Sequence, residues 1–180
     1  MKTLTLIFCL TLSFFLHGQD KFTIKDGEID FTSNAKLELI KGQSKKLQGV
    51  INPVNNQFAF LVKVLSFEGF NSKLQKDHFN EKYMESDKFY DATFTGKIVE
   101  LIDFSIDGEY DVHATGNLTI HGKKQPRTIS AKIKLEKGVL KVNSTFTVPL
   151  ADHGIKIPEI VSAKIATEIY VEIKFMMTQK

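Results

Sequence analysis

From Ile165 to Phe175 the odd positions are Ile165, Thr167, Ile169, Val171, Ile173 and Phe175, and the even ones include Glu168, Tyr170, Glu172 and Lys174. A spacing of two is the period of a β-strand with one buried and one wet face. The rule recurs where Ile129, Ala131, Ile133 and Leu135 alternate with Ser130, Lys132, Lys134 and Glu136. It recurs again where Val112, Ala114, Gly116, Leu118 and Ile120 alternate with His113, Thr115, Asn117, Thr119 and His121. Upstream, strands are expected near 28–33, 35–40, 45–51, 57–67 and 92–102. The turn signals between segments are short: Asn52 to Asn56, Asp107-Gly108, Gly122 to Pro126, and Lys137-Gly138. Connections of that length join antiparallel neighbours.

A chain of this kind is all-β, and about eight sequential strands with one consistent apolar face stack as a sandwich or close into an up-and-down barrel. The short hairpins favour an extended antiparallel barrel, whose interior is wide enough for side chains or for one small ligand. The alternation phase turns Phe94, Leu118, Ile133, Phe146, Ile169, Val171 and Ile173 inward, and Phe60 and Val62 are assigned to the same side although either phase of the doubly apolar 57–67 strand fits. The segment from Phe58 to Val62 is apolar at every position, so both of its faces should be covered. One helical insertion is expected near 73–90, where Phe79 and Tyr83 share a face and Asn71-Ser72 offers a cap. It is a candidate lid or plug. The chain shows no internal repeat, low-complexity stretch or linker.

The N-terminus must be read apart from this pattern. Lys2 is followed by thirteen uncharged, mainly apolar residues, Leu4 to Leu16, and then by His17-Gly18-Gln19. A spanning helix needs about 20 residues, so the segment reads as a signal peptide over 1–18, cleaved near Gly18, with a single domain over 19–180. A retained anchor is the alternative. Cys9, preceded by bulky Phe8, makes a poor lipid attachment site. Loss of residues 1–18 removes the only Cys and leaves 23 basic against 21 acidic residues. The mature domain then has no disulfide and no thiolate chemistry, and a packed core must hold it. No stable membrane insertion is expected.

The near-even charge, with Arg127 the single arginine, excludes nucleic acid as a partner. His78, His113, His121 and His153 show no metal-binding spacing. His113 and His121 share a strand face, but about 26 Å separates them at about 3.3 Å per residue. His121 reads as a turn residue and His113 as part of a polar face. With no nucleophile motif and no Gly-rich phosphate loop, neither catalysis nor a cofactor is expected.

Lys76 to Phe94, KDHFNEKYMESDKFYDATF, is the most distinctive stretch of the chain. With Thr115 to Gly122 and Phe146 to Ile155 following in order, it resembles the YceI-like family of exported bacterial lipid-binding proteins. The sequence departs from that family at Phe22-Thr23-Ile24, where a Trp is usual, and at Lys76, where an Arg is common. The resemblance implies a lipocalin-like barrel, periplasmic or secreted, that holds a polyisoprenoid or similar long-chain amphiphile in an apolar tunnel. The inward residues above would then contact its chain. Phe79, His78 and Asn80 would meet its polar end, since a polar group stranded in an apolar tunnel costs a few kcal/mol. The competing function is a non-catalytic structural or stress-related exported protein acting through a contiguous apolar patch on its outside. An even sheet edge offers a surface for a homodimer, though no residue selects it.

Overall fold

A computed structural model describes residues 21–179; the expected signal peptide and its cleavage point lie outside them. The alternation folds as antiparallel strands: β1 (Phe22–Asn34), β2 (Leu39–Ser44), β3 (Gln48–Ile51), β4 (Gln57–Lys63), β5 (Asp91–Ile98), β6 (Gly108–Ile120), β7 (Lys123–Glu136), β8 (Val139–Pro149) and β9 (Glu168–Gln179). Each pairs with the next along the sheet, and β1 closes it by pairing with β9 from Phe22↔Gln179 to Thr32↔Tyr170. β2 and β3 share one place beside β1, at Ile29 to Asn34 and at Phe22-Thr23 respectively. Nine strands therefore make an eight-place barrel. Closure takes up the long sheet edge that offered a surface for a homodimer.

At one end the barrel is shut. Turns 52–56 and Lys137-Gly138 lie there together with the 99–107 loop, which presses Phe104 against Phe22 with ring centroids 5.4 Å apart. The other end carries the 35–38 turn and the two longest excursions, 64–90 and 150–167. Fully buried Phe22, Ile51, Leu135, Leu140 and Met177 place the solid core toward the shut end.

Several boundaries differ from expectation for local reasons. The β6–β7 turn is His121-Gly122, with φ of 50° and 68°, and not Gly122 to Pro126. These are the two left-handed residues of a tight hairpin, as are Lys137 (51°) and Gly138 (75°). Pro126 is accepted within β7 because β8 pairs with β7 only from Ala131 onward, so the missing N–H costs no ladder bond on that side. β4 stops at Lys63, where Val64–Ser66 forms a 3-10 turn. Its inward phase is Phe58, Phe60 and Val62, while Ala59 on the outer face is exposed. The outer cover expected over this strand is absent, because the helical insertion crosses the barrel's end. β9 begins at Glu168, since the preceding chain runs over that end, with the Leu150 N–H donating to the Thr167 carbonyl at 2.9 Å.

The insertion is also less helical than the 73–90 reading. α1 spans Lys73–His78, capped by Ser72, whose hydroxyl accepts the Gln75 N–H at 3.1 Å. A wider π turn follows over Phe79–Tyr83 and closes with the Met84 N–H on the Phe79 carbonyl at 2.9 Å. Glu85 then takes a φ of 42° and ends the helical run.

Candidate functional site

Two facing glycines make room for aromatics inside the wall. Gly42 pairs with Phe31 and Gly49 with Phe60, and in each case the ring occupies the space a Cβ on the glycine would need. Phe60 joins a lower stack in which Phe58 lies 5.3 Å from it and 4.8 Å from Phe94, while Phe175 lies 5.1 Å from Phe60. Phe31 instead reaches up to the insertion, where Phe79 stacks on it at 5.3 Å and also meets Phe70 at 5.0 Å and Phe67 at 5.9 Å.

Between the two aromatic groups the barrel is hollow. The upper cavity, beneath the insertion, has a volume of about 440 Å³, within the range of small-molecule sites. A narrower cavity of about 130 Å³ adjoins it below, and both are walled by Ile29, Val62, Ala92, Ile120, Val148 and Val171. These six shared side chains are all apolar. An apolar chain is the occupant such walls favour.

The insertion lies over the upper cavity as a lid held by polar ties. Gln43 and Glu68 exchange backbone hydrogen bonds of 2.8 Å, and Asn71 Nδ2 donates to the Leu39 carbonyl at 3.0 Å. Gln75 Nε2 donates to Glu38 at 2.9 Å, and Lys76 pairs with Glu68 at 2.6 Å. Past the lid, His121 Nε2 and Lys88 both reach Glu85, at 2.9 and 2.5 Å. The Lys88 and His121 hydrogen bonds hold the Glu85 carboxyl below the usual carboxylate range.

A second closure concerns the seam left where β7 and β8 separate. The 3-10 turn Leu150–His153 covers it: Gln125 Nε2 donates to the Asp152 carbonyl at 2.6 Å, and Arg127 lies 3.4 Å from the Asp152 carboxylate. His153 is fully buried there, its Nδ1–H donating to the Lys123 carbonyl at 3.0 Å while Nε2 has no partner. Burial pushes the His153 pKa down, so the ring is held neutral. Sequence reading gave this histidine no role.

Of the residues singled out from sequence, Phe60, Phe94, Leu118, Ile133, Phe146 and Ile173 line the lower cavity. His78, Phe79 and Ile169 line the upper one, and Val62 and Val171 line both. Asn80 lines neither; its side-chain oxygen is buried in the lid without a partner. The polar lining of the upper cavity comprises His78, Tyr83 and Lys164 together with Ser33, Glu38, Ser72 and Gln75. Burial raises the Tyr83 pKa, so its hydroxyl keeps its proton and can donate a hydrogen bond. Tyr83 was readable from its i,i+4 relation to Phe79. Phe31 was readable from the phase it shares with Ile29. Phe67, Phe70 and Lys164 lie in irregular segments whose direction no periodicity sets.

Among the described residues no group of three or more His, Cys, Asp or Glu is placed to hold a metal. No helix among them is long and apolar enough to cross a membrane. No curated protein matches the sequence. The family model described as the YceI-like domain matches residues 17–177. The fold is similar to a polyisoprenoid-binding domain from Saccharophagus degradans implicated in plant cell wall breakdown, with TM-score 0.74 and 14% identity over 88% of this chain and 98% of that one. It is also similar to Burkholderia cenocepacia BcnA, with TM-score 0.69 and 16% identity over 83% and 95% of the chains. A third similar structure is the Campylobacter jejuni YCEI protein, with TM-score 0.61 and 20% identity over 82% and 86%. At these identities the likeness is one of fold.

Proposed function

The chain belongs to the YceI-like family, and from that premise we propose that it is an exported carrier which holds one long-chain amphiphile, polyisoprenoid or fatty-acyl in kind, in the barrel interior. The observation that carries this reading is the pair of adjoining apolar cavities under a tied lid. Each enclosed CH₂ contributes about 0.8 kcal/mol, so ten carbons supply roughly 8 kcal/mol before ordering costs. The chain lies along Val62, Val171, Leu118 and Phe94, and its polar end stays at the mouth with His78, Tyr83 and Lys164. The Saccharophagus domain, described as polyisoprenoid-binding, has the same fold and so supports the ligand class. Export rests on the Leu4 to Leu16 segment, and N-terminal sequencing of the exported protein should begin near Gln19.

Organic extraction and mass spectrometry of the protein purified from a bacterial host test the carrier role. A long-chain species at near-equal molar amount is expected. A protein that yields none, and that takes up no added cis-parinaric acid, is not a carrier.

The competing outer-surface role has one observation behind it: Val54, Leu101 and Ile106 are exposed around the shut end. Under that reading both assays would be blank.

A further inference from the structure

Three of the most exposed apolar side chains at the open end stand on segments that border the cavity mouth. Three rim segments meet there. The 35–39 turn is tied to the 159–166 segment by the Leu37 N–H on the Ala163 carbonyl at 2.9 Å and by the Ala166 N–H on Ser33 Oγ at 2.9 Å. On its other side the turn is tied to the lid through Asn71 and Gln75. The rim thus displays Leu37 at 68% exposure, Leu74 at 63% and Ile160 at 92%. Leu74 and Lys164 also line the upper cavity, so the exposed rim runs directly into the apolar interior.

Charges are set among these side chains. Lys36 precedes Leu37, Lys73 precedes Leu74, and Lys164 stands beside Ile165. None of the three lysines forms an ion pair among the described residues. Glu38, Asp77 and Glu159 share the rim, which balances the three lysines, with cations beside each leucine. Lysines flanking exposed leucines suit the phosphates and upper acyl chains of a phospholipid surface. A second copy docked mouth to mouth would set the same lysines against one another.

We propose that this rim is a docking surface for a phospholipid bilayer containing anionic lipid, and that the amphiphile passes between bilayer and cavity while the mouth is seated on the membrane. Transfer in contact spares the acyl chain a passage through water, which apolar surface disfavours. The proposal rests on the carrier reading, but docking itself can be measured without any cargo.

The test uses the chain from Gln19 onward, whose barrel closes within residues 22–179, and vesicles of phosphatidylethanolamine and phosphatidylglycerol. The protein contains no tryptophan, so Ile160→Trp introduces a single reporter at the rim and Leu101→Trp one at the shut end, where Leu101 is 95% exposed. Emission from Ile160→Trp should shift to the blue with vesicles, and emission from Leu101→Trp should not. The double variant Leu37→Ser/Ile160→Ser, which alters no cavity-lining residue, should float with vesicles about tenfold less. Its release of cis-parinaric acid should lose its dependence on vesicle concentration, with affinity for the probe in solution and thermal midpoint unchanged. Equal flotation of wild type and double variant, a blue shift at Leu101→Trp alone, or sedimentation showing a dimer that Leu37→Ser dissociates, each overturns docking by this rim. If no probe binds in solution while Ile160→Trp still responds to vesicles, the carrier reading fails and the docking surface stands.

Discussion

The two halves of the barrel interior use the same side chain on different mounts. In the lower half Phe58, Phe60, Phe94 and Phe175 stand on β4, β5 and β9, each fixed by ladders on both sides. In the upper half Phe67, Phe70 and Phe79 hang from the lid, held by the 43–68 backbone pair, the Asn71 and Gln75 hydrogen bonds and one exposed ion pair. Exposed ion pairs contribute little. Aromatics on strands make a floor, and aromatics on irregular chain and a π turn make a cover, which should open without unfolding the barrel. Local opening draws on segments with few buried contacts.

Truncation on either side should separate the two most widely. Phe58 is buried against Phe60 and Phe94, so Phe58→Ala should cost about 3–5 kcal/mol of stability, read from denaturant midpoints. Phe79→Ala in the lid should cost about 1 kcal/mol, in keeping with a partly exposed site, and should instead speed release of cis-parinaric acid. Equal losses would erase the distinction between floor and cover.

Val171 marks the boundary, since it walls both cavities. Val171→Trp should plug the passage downward and weaken cis-parinaric acid binding by about tenfold while a shorter acid such as decanoate still binds. The barrel should remain folded despite an overpacking cost of about 1–3 kcal/mol. Unchanged uptake of the long probe by a folded variant would remove the lower cavity from the account.

The smallest effect concerns the seam. His153 is held neutral by burial, with Arg127, Asp152 and Lys123 its charged neighbours. The unfolded chain takes up a proton near the ordinary value of 6.5 while the folded one resists it, so stability should fall as pH drops below 6.5. Hydrogen exchange should report the loss first at 123–130 and 150–153 and later in the floor. His153→Asn keeps a donor toward Lys123 and should flatten the dependence.

The floor was the legible half. Alternation sets which residues of a strand face inward, so Phe94, Leu118 and Val171 could be placed from sequence, while the doubly apolar 57–67 segment left the phase of Phe60 open until its pairing was known. The cover was legible only as an insertion carrying Phe79 and Tyr83 on one face. Its π turn and the left-handed Glu85 aim those rings and turn Asn80 away from the cavity, and neither leaves a trace in hydrophobic period. The seam at His153 depends on β7 and β8 being unpaired on the far side of the Ala131–Ser144 pair, a consequence of register.

The claim that the ligand chain runs from the upper cavity into the lower one and stops short of the shut end is tested most directly by methyl NMR with a fatty acid carrying a nitroxide midway along its chain. Methyl signals of Val62, Ile120, Val148 and Val171 should broaden on binding, and those of Leu135, Leu140 and Met177 should keep their intensity. Broadening confined to exposed methyls such as Leu101, or uniform through the floor, would contradict it.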